Sequence, residues 1–168
     1  MLFNDVHHTI MVSLSGQAII EDKHLREGGV TPRDWMHFMI AVLCHDIGYA
    51  KGVCRNDTND RFATGIGDET VYISPEGTDV ALTSYHVDRS KLFVKERFGT
   101  GIMQDTTRQL DADLIASYIE MTRFPSPAGE MYKETKSYGG LVRAADFIGQ
   151  LGDPDYLRKT PALFYEFH

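Results

Sequence analysis

Apolar residues recur at helical spacing over most of the chain and alternate with polar ones almost nowhere. Counted from Trp35 at 3.6 residues per turn, Phe38, Met39, Val42 and Leu43 fall on one face. Asp46 falls near the middle of that face and His45 at its edge. Thr31-Pro32-Arg33-Asp34 supplies the start: Thr31 as N-cap, Pro32 at the first helical position, Asp34 at the third. This helix is predicted to run to about residue 47, with Gly48 as its stop. Upstream, residues 3–26 read as a first helix with two stripes. His7, Met11, Leu14 and Ala18 form one; His8, Val12, Ser15 and Ile19 form the other, about 100° round. Either histidine can face the interior.

Downstream, Ser74-Pro75-Glu76 is predicted to open a third helix that reaches about residue 98. Leu82, His86, Arg89 and Phe93 share one of its faces. A fourth helix is predicted over about 105–122, with Leu110, Leu114, Ile115, Tyr118 and Ile119 as its core face. Phe124-Pro125-Ser126-Pro127 ends it. A fifth covers about 138–151 and carries Val142, Ala145, Asp146 and Gly149 together. That stripe of small residues lets a neighbouring helix come close and holds Asp146 inside. A sixth is expected over 154–167, interrupted near Pro161. Its apolar cluster (Leu163, Phe164, Tyr165, Phe167) carries the expectation that the natural protein continues beyond His168. Residues 52–76 keep no period and are dense in Gly, Asn and Asp. They read as an irregular flap beside a site, with Val71-Tyr72-Ile73 as its one extended piece. The expected fold is therefore all-α: five or six main helices in a single domain over residues 1–168.

Charge narrows the partners. Asp and Glu number 24 against 17 Lys and Arg, a formal net charge of -7, which argues against a nucleic-acid polymer or an anionic membrane surface. The longest apolar run, 38–44, is far too short to span a bilayer, and the N-terminus has no signal-peptide pattern. Cys44 and Cys54 are the only cysteines, one in an apolar helix and one in a loop, so a reducing, cytoplasmic setting is expected. The oligomeric state is not readable, and a homo-oligomer is left open.

The chemistry lies in the order of the imidazoles and carboxylates. An ionised carboxylate on a buried apolar face costs several kcal/mol unless a charge or a metal compensates it. His7 or His8, then His45-Asp46, then His86, then Asp146 lie on separate predicted helices, apart from the adjacent pair. Each has a plainer reading. His45 suits the negative end of a helix dipole, His86 a core edge, and Asp146 an internal ion pair. Taken together, three imidazoles and two carboxylates suit a first-row divalent metal. Arg89, one turn beyond His86, suits an oxyanion or a metal-bound phosphate.

The pattern His…His-Asp…Asp resembles the HD-domain superfamily of metal-dependent phosphohydrolases, from about residue 4 to residue 150. His45-Asp46-Ile47-Gly48 is the most specific part, followed by Asp146 within Arg143-Ala144-Ala145-Asp146-Phe147-Ile148-Gly149-Gln150. In the related cyclic-nucleotide phosphodiesterases the first histidine follows an Asn and precedes Ala or Thr. Asn4, His8-Thr9 and Val12 resemble that segment with one extra residue, so His7 stays open as the first ligand. His86-Val87-Asp88-Arg89 and Glu120-Met121-Thr122-Arg123-Phe124-Pro125 are similar to a bacterial subfamily of general HD-domain proteins.

Departures from the better-defined subfamilies prune the reading. Tyr49-Ala50 stands where the alarmone hydrolases carry an acidic pair, and Tyr49 where the deoxynucleoside 5′-monophosphatases carry a glutamate. No histidine lies between His86 and His168, whereas HD-GYP phosphodiesterases and inositol oxygenase-like diiron enzymes need further ones. The resemblance then implies a one-metal site of His8, His45, Asp46 and Asp146. The ion would be a divalent Fe, Mn, Zn, Ni or Mg, which the sequence does not distinguish. It also implies a phosphomonoesterase or phosphodiesterase acting on a nucleotide or another small phosphorylated metabolite. Asp46 would orient the attacking water, His86 protonate the leaving oxygen, and Lys51 and Arg89 neutralise phosphoryl charge. The alternative is an HD-type metal- or ligand-binding regulatory module without turnover.

Overall fold

A computed structural model describes residues 6–74, 76–99 and 110–154. Among these residues the protein is all-α apart from one small hairpin. Its α-helices among the described residues are α1 (Val6–Glu27), α2 (Pro32–Cys44), α3 (His86–Phe98), α4 (Ala112–Glu120) and α5 (Tyr138–Leu151). No helix among the described residues is long and apolar enough to cross a membrane. The sixth helix expected over 154–167 lies, apart from Pro154, outside the described residues, as do residues 105–109 of the expected fourth, Asn4 and the terminal apolar cluster. The fourth helix begins at Ala112 rather than near 105, because Asp111 caps it there.

Local sequence explains the helix boundaries. Thr31 and Asp34 form a reciprocal capping box ahead of Pro32, so α2 begins where its side chains satisfy the first free N–H groups. Asp111 caps α4 by accepting from the Leu114 N–H at 2.9 Å. Ser137 caps α5 by accepting from Gly140 N–H at 3.1 Å. A buried histidine ties two of these elements together. His37 Nδ1 donates to Arg33 O at 2.7 Å, and its Nε2 accepts from the Asp111 N–H at 2.9 Å.

The main core gathers Val12, Ile20, Phe38, Val42, Val94, Ile115, Ile119 and Val142, drawn from all five helices. Close approach of α5 to α1 depends on Gly149. A Cβ there would lie 2.6 Å from a Val12 methyl and 2.7 Å from the Val12 nitrogen. The buried face of α2 is made of His37, Phe38, Ala41 and Val42. It is rotated from the expected one, and Leu43 is 52% exposed.

In the middle of the chain one expectation is extended and one corrected. Residues 52–76 are mostly irregular, as expected, but the extended piece finds a partner: β1 (Arg61–Ala63) pairs antiparallel with β2 (Thr70–Tyr72), with Phe62 opposite Val71. Phe62 and Ile73 bury against Leu82 in a second small core, which is enough to order the hairpin. The third helix does not begin at 74. Residues Asp79–Tyr85 wind as a tighter 3-10 helix, and α3 starts at His86. The His86 ring takes the Thr83 carbonyl at 2.6 Å, the group that would accept the residue-87 N–H in a continuous α-helix.

Candidate metal centre

α2 ends at Cys44, and the next two residues enter the site by different routes. His45 keeps helical backbone angles as the C-cap, with its ring 1% exposed. Its Nδ1 faces the Val42 carbonyl at 2.7 Å. A carbonyl only accepts, so Nδ1 carries a proton and Nε2 is the ring nitrogen left to face a cation. Asp46 leaves the helix at φ -107, ψ 1, the bridge region, and opens a short 3-10 turn over Ile47–Tyr49.

α1 and α5 complete the cluster. His8 is 4% exposed, and its Nε2 lies 3.4 Å from Asp46 Oδ2 and 3.3 Å from Asp146 Oδ1. His45 Nε2 lies 3.3 Å from the same Asp46 oxygen and 3.5 Å from the same Asp146 oxygen. His7 points elsewhere: it is exposed, with Nδ1 3.8 Å from Asp153 Oδ2. The four residues converge from α1, the end of α2 and α5. One atom each from His8, His45 and Asp146 lies within 4.8 Å of the other two.

Two observations test whether a cation fits. His45 Nε2 is buried and has no hydrogen-bond partner among the described residues. Its contacts to the two carboxylates have ion-pair distances without hydrogen-bond geometry. The second is the spacing. Ligand atoms about 2.0–2.2 Å from one ion, at tetrahedral angles, stand roughly 3.3–3.6 Å apart. All four N···O separations here are 3.3–3.5 Å. The donor set and its spacing fit a divalent cation, and the Nδ1 bond to Val42 is the outer contact that metal-ligating histidines usually make.

The electrostatics agree. Burial alone would lower the His8 pKa, but Asp146 and Asp46 outweigh it and raise it to about 9. Burial likewise opposes charge on His45, and the two carboxylates hold it well above the usual imidazole range. Asp46 and Asp146 are depressed in spite of their burial, chiefly by the imidazoles. The cluster is a pair of carboxylates that requires positive charge from its surroundings.

His86 stands at the first turn of α3. Its Nδ1 donates to Thr83 O, and its ring stacks on Tyr49 (centroids 4.2 Å, planes 14°). Lys51 Nζ donates to Gly77 O at 2.8 Å and lies over the Phe62 ring. It fastens the segment after His45-Asp46 to the turn before the 3-10 helix.

Arg89 corrects the expectation of a substrate contact. It has no exposed surface. Nε donates to Gly48 O at 2.7 Å, Nη2 to Ala50 O at 2.8 Å and Asp57 Oδ2 at 3.0 Å, and Nη1 to Asp57 Oδ1 at 3.1 Å and Ala63 O. All five guanidinium N–H groups are engaged within the protein, so none remains for a phosphate. Helical spacing put Arg89 on the His86 face but gave no sign of Asp57, its partner in the breaker-rich segment. Tyr49 and Ser90 were also missed; adjacency to His45-Asp46 and to Arg89 was their only sequence signal. The two thiols are inert at neutral pH, since burial pushes Cys44 and Cys54 up to about 11.

The Npun_R2479-like family matches residues 1–168, the whole chain, and the chain belongs to that family. No curated protein and no solved structure matches it.

Proposed function

We propose that this member of the Npun_R2479-like family is an HD-type, metal-dependent phosphohydrolase that cleaves a small phosphoester. His8, His45, Asp46 and Asp146 would hold the ion. A divalent cation there would supply Lewis acidity and a lowered pKa for water. The observation that carries the reading is His45 Nε2: a buried ring nitrogen with no hydrogen-bond partner among the described residues, its ring fixed by Val42 and aimed at two carboxylates. A protein interior seldom keeps such a group without a cation or a proton between the partners.

The remaining roles follow from this chain's own residues. Asp46 has a carboxylate at the cluster and backbone angles that turn it off the helix, which suits it to orient a water as well as to bind. His86 keeps Nδ1 on Thr83, so Nε2 is the nitrogen that exchanges a proton with the leaving oxygen. Tyr49 holds the plane of that ring by stacking. Two free thiols suit a cytoplasmic working compartment.

The full engagement of Arg89 favours a second reading, an HD-type metal- or ligand-binding regulatory module. Arg89 is then not available to a phosphate. Turnover of p-nitrophenyl phosphate and bis(p-nitrophenyl) phosphate, with added Mn2+, Zn2+, Ni2+, Fe2+ or Mg2+, separates the two. The hydrolase reading expects release of nitrophenol from one ester, lost in His45→Ala and Asp146→Ala. Metal binding with no hydrolysis of either ester supports the regulatory module.

A further inference from the structure

We infer that Arg89 and Ser90 are positioning residues that clamp the Gly48 peptide and so fix His45-Asp46 relative to His86. This rests on the metal-centre reading above. Gly48 lies two residues after Asp46. Its N–H donates to Ser90 Oγ at 2.9 Å, and its carbonyl accepts from Arg89 Nε at 2.7 Å. Both backbone polar groups of Gly48, one from each of its two flanking peptide units, are thus held by consecutive residues of one helix. A single bond would let the peptide pivot; two, at opposite ends of the residue, do not.

Steric contact closes the third direction. A Cβ on Gly48 would lie 2.0 Å from the His86 carbonyl oxygen and 2.7 Å from the Ser90 nitrogen. The residue rests directly on the backbone of the first turn of α3, the turn that carries His86. The clamp is itself braced. Arg89 pairs with Asp57, whose Oδ1 also accepts from Ala63 N–H and whose Oδ2 accepts from Cys54 N–H. From the other side Gly65, at φ +82, seats the hairpin turn on the backbone of Asp88 and Arg89. Gly48 is therefore the point where the chain leaving the metal centre is indexed against the helix of the candidate proton donor. A loosened clamp should shift His86 against the cluster without removing any ligand.

The test uses the full chain as wild type, Ser90→Ala, Arg89→Lys and Val94→Ala. Val94 is buried in the main core one turn beyond Ser90 on α3 and supplies no polar group to Gly48 or to the cluster, so its variant reports loss of packing on the same helix without loss of a clamp bond. Imidazole 15N chemical shifts at one pH read ring environments without added metal, and calorimetric titration with Zn2+ reads affinity. Ser90→Ala and Arg89→Lys should move the His45 and His86 ring-nitrogen signals, and should weaken Zn2+ binding by about 10–100-fold, the usual effect of outer-shell substitutions. Val94→Ala should lower the melting temperature while leaving both readouts near wild type. The inference is overturned if the Ser90→Ala ring signals coincide with wild type, or if Val94→Ala moves them as far. Should Arg89→Lys not fold, Ser90→Ala decides alone. A wild-type protein that takes up no Zn2+ counts against the metal reading, and the ring shifts then still decide the clamp.

Discussion

His45 Nδ1 donates to the Val42 carbonyl at 2.7 Å, and that bond decides which ring nitrogen faces the carboxylates. Because Val42 is one helical turn back and fully buried, the ring cannot flip without leaving a buried carbonyl unpaired. His45→Gln keeps a polar side chain but places no nitrogen lone pair at Nε2. It should lower metal affinity by more than about 100-fold, beyond the loss typical of an outer-shell change. Calorimetric titration of both proteins with Zn2+ measures this.

His86 is predicted to serve the reaction rather than the ion. Its ring is held by Thr83 and Tyr49 and lies outside the four-residue cluster. His86→Ala should reduce kcat by about 10²–10⁴-fold, the range for loss of a general acid, with the bound metal retained. Metal content and steady-state kinetics on the same preparation check both halves. Loss of the metal would make His86 a ligand instead.

Arg89→Met is predicted to act on stability. Arg89 and Asp57 have side chains 0% and 1% exposed, and the substitution leaves Asp57 as a buried carboxylate without its cation. The expected cost is about 3–5 kcal/mol, read from urea unfolding. A replacement that left stability intact and raised only KM would restore Arg89 to the substrate.

How legible these roles were depended on periodicity. His45-Asp46 and Asp146 could be found because they interrupt apolar or small-residue stripes, where a charge must have a reason. Arg89 was legible as a member of the same face as His86, but spacing says nothing about what a side chain meets across the fold. Its partner Asp57 sits among other turn-forming residues, where an acid is ordinary. The hairpin was half legible. Val71 and Tyr72 lie in β2, yet β1 has only Phe62 as a large apolar residue, and its order comes from Ile73 and Leu82. On α2 the count from Trp35 places Leu43 on the inner face, whereas Leu43 is exposed. The true stripe runs through His37 and Ala41.

Acid should loosen the contact between α3 and α4. Burial would raise Glu120, but Arg123, Lys91 and Tyr132 outweigh it and hold its pKa at about 2, below the ordinary 4.5. A depressed carboxylate contributes stability above its unfolded pKa and loses it as pH falls through the folded one. The contribution should therefore be complete above about pH 4.5 and vanish toward pH 2. Melting temperatures across this window should fall more steeply for wild type than for Glu120→Gln. Parallel curves would show that Glu120 is not held by these partners.

The central claim is that His8, His45, Asp46 and Asp146 hold one divalent ion. Elemental analysis of purified wild type beside His8→Ala and Asp146→Ala, followed by anomalous diffraction from metal-loaded crystals, tests it most directly. The account predicts about one equivalent of metal in wild type, little in either variant, and an anomalous peak about 2.0–2.2 Å from both Nε2 atoms. Metal-loaded crystals with no peak among these four side chains, or variants that keep the full equivalent, would contradict it.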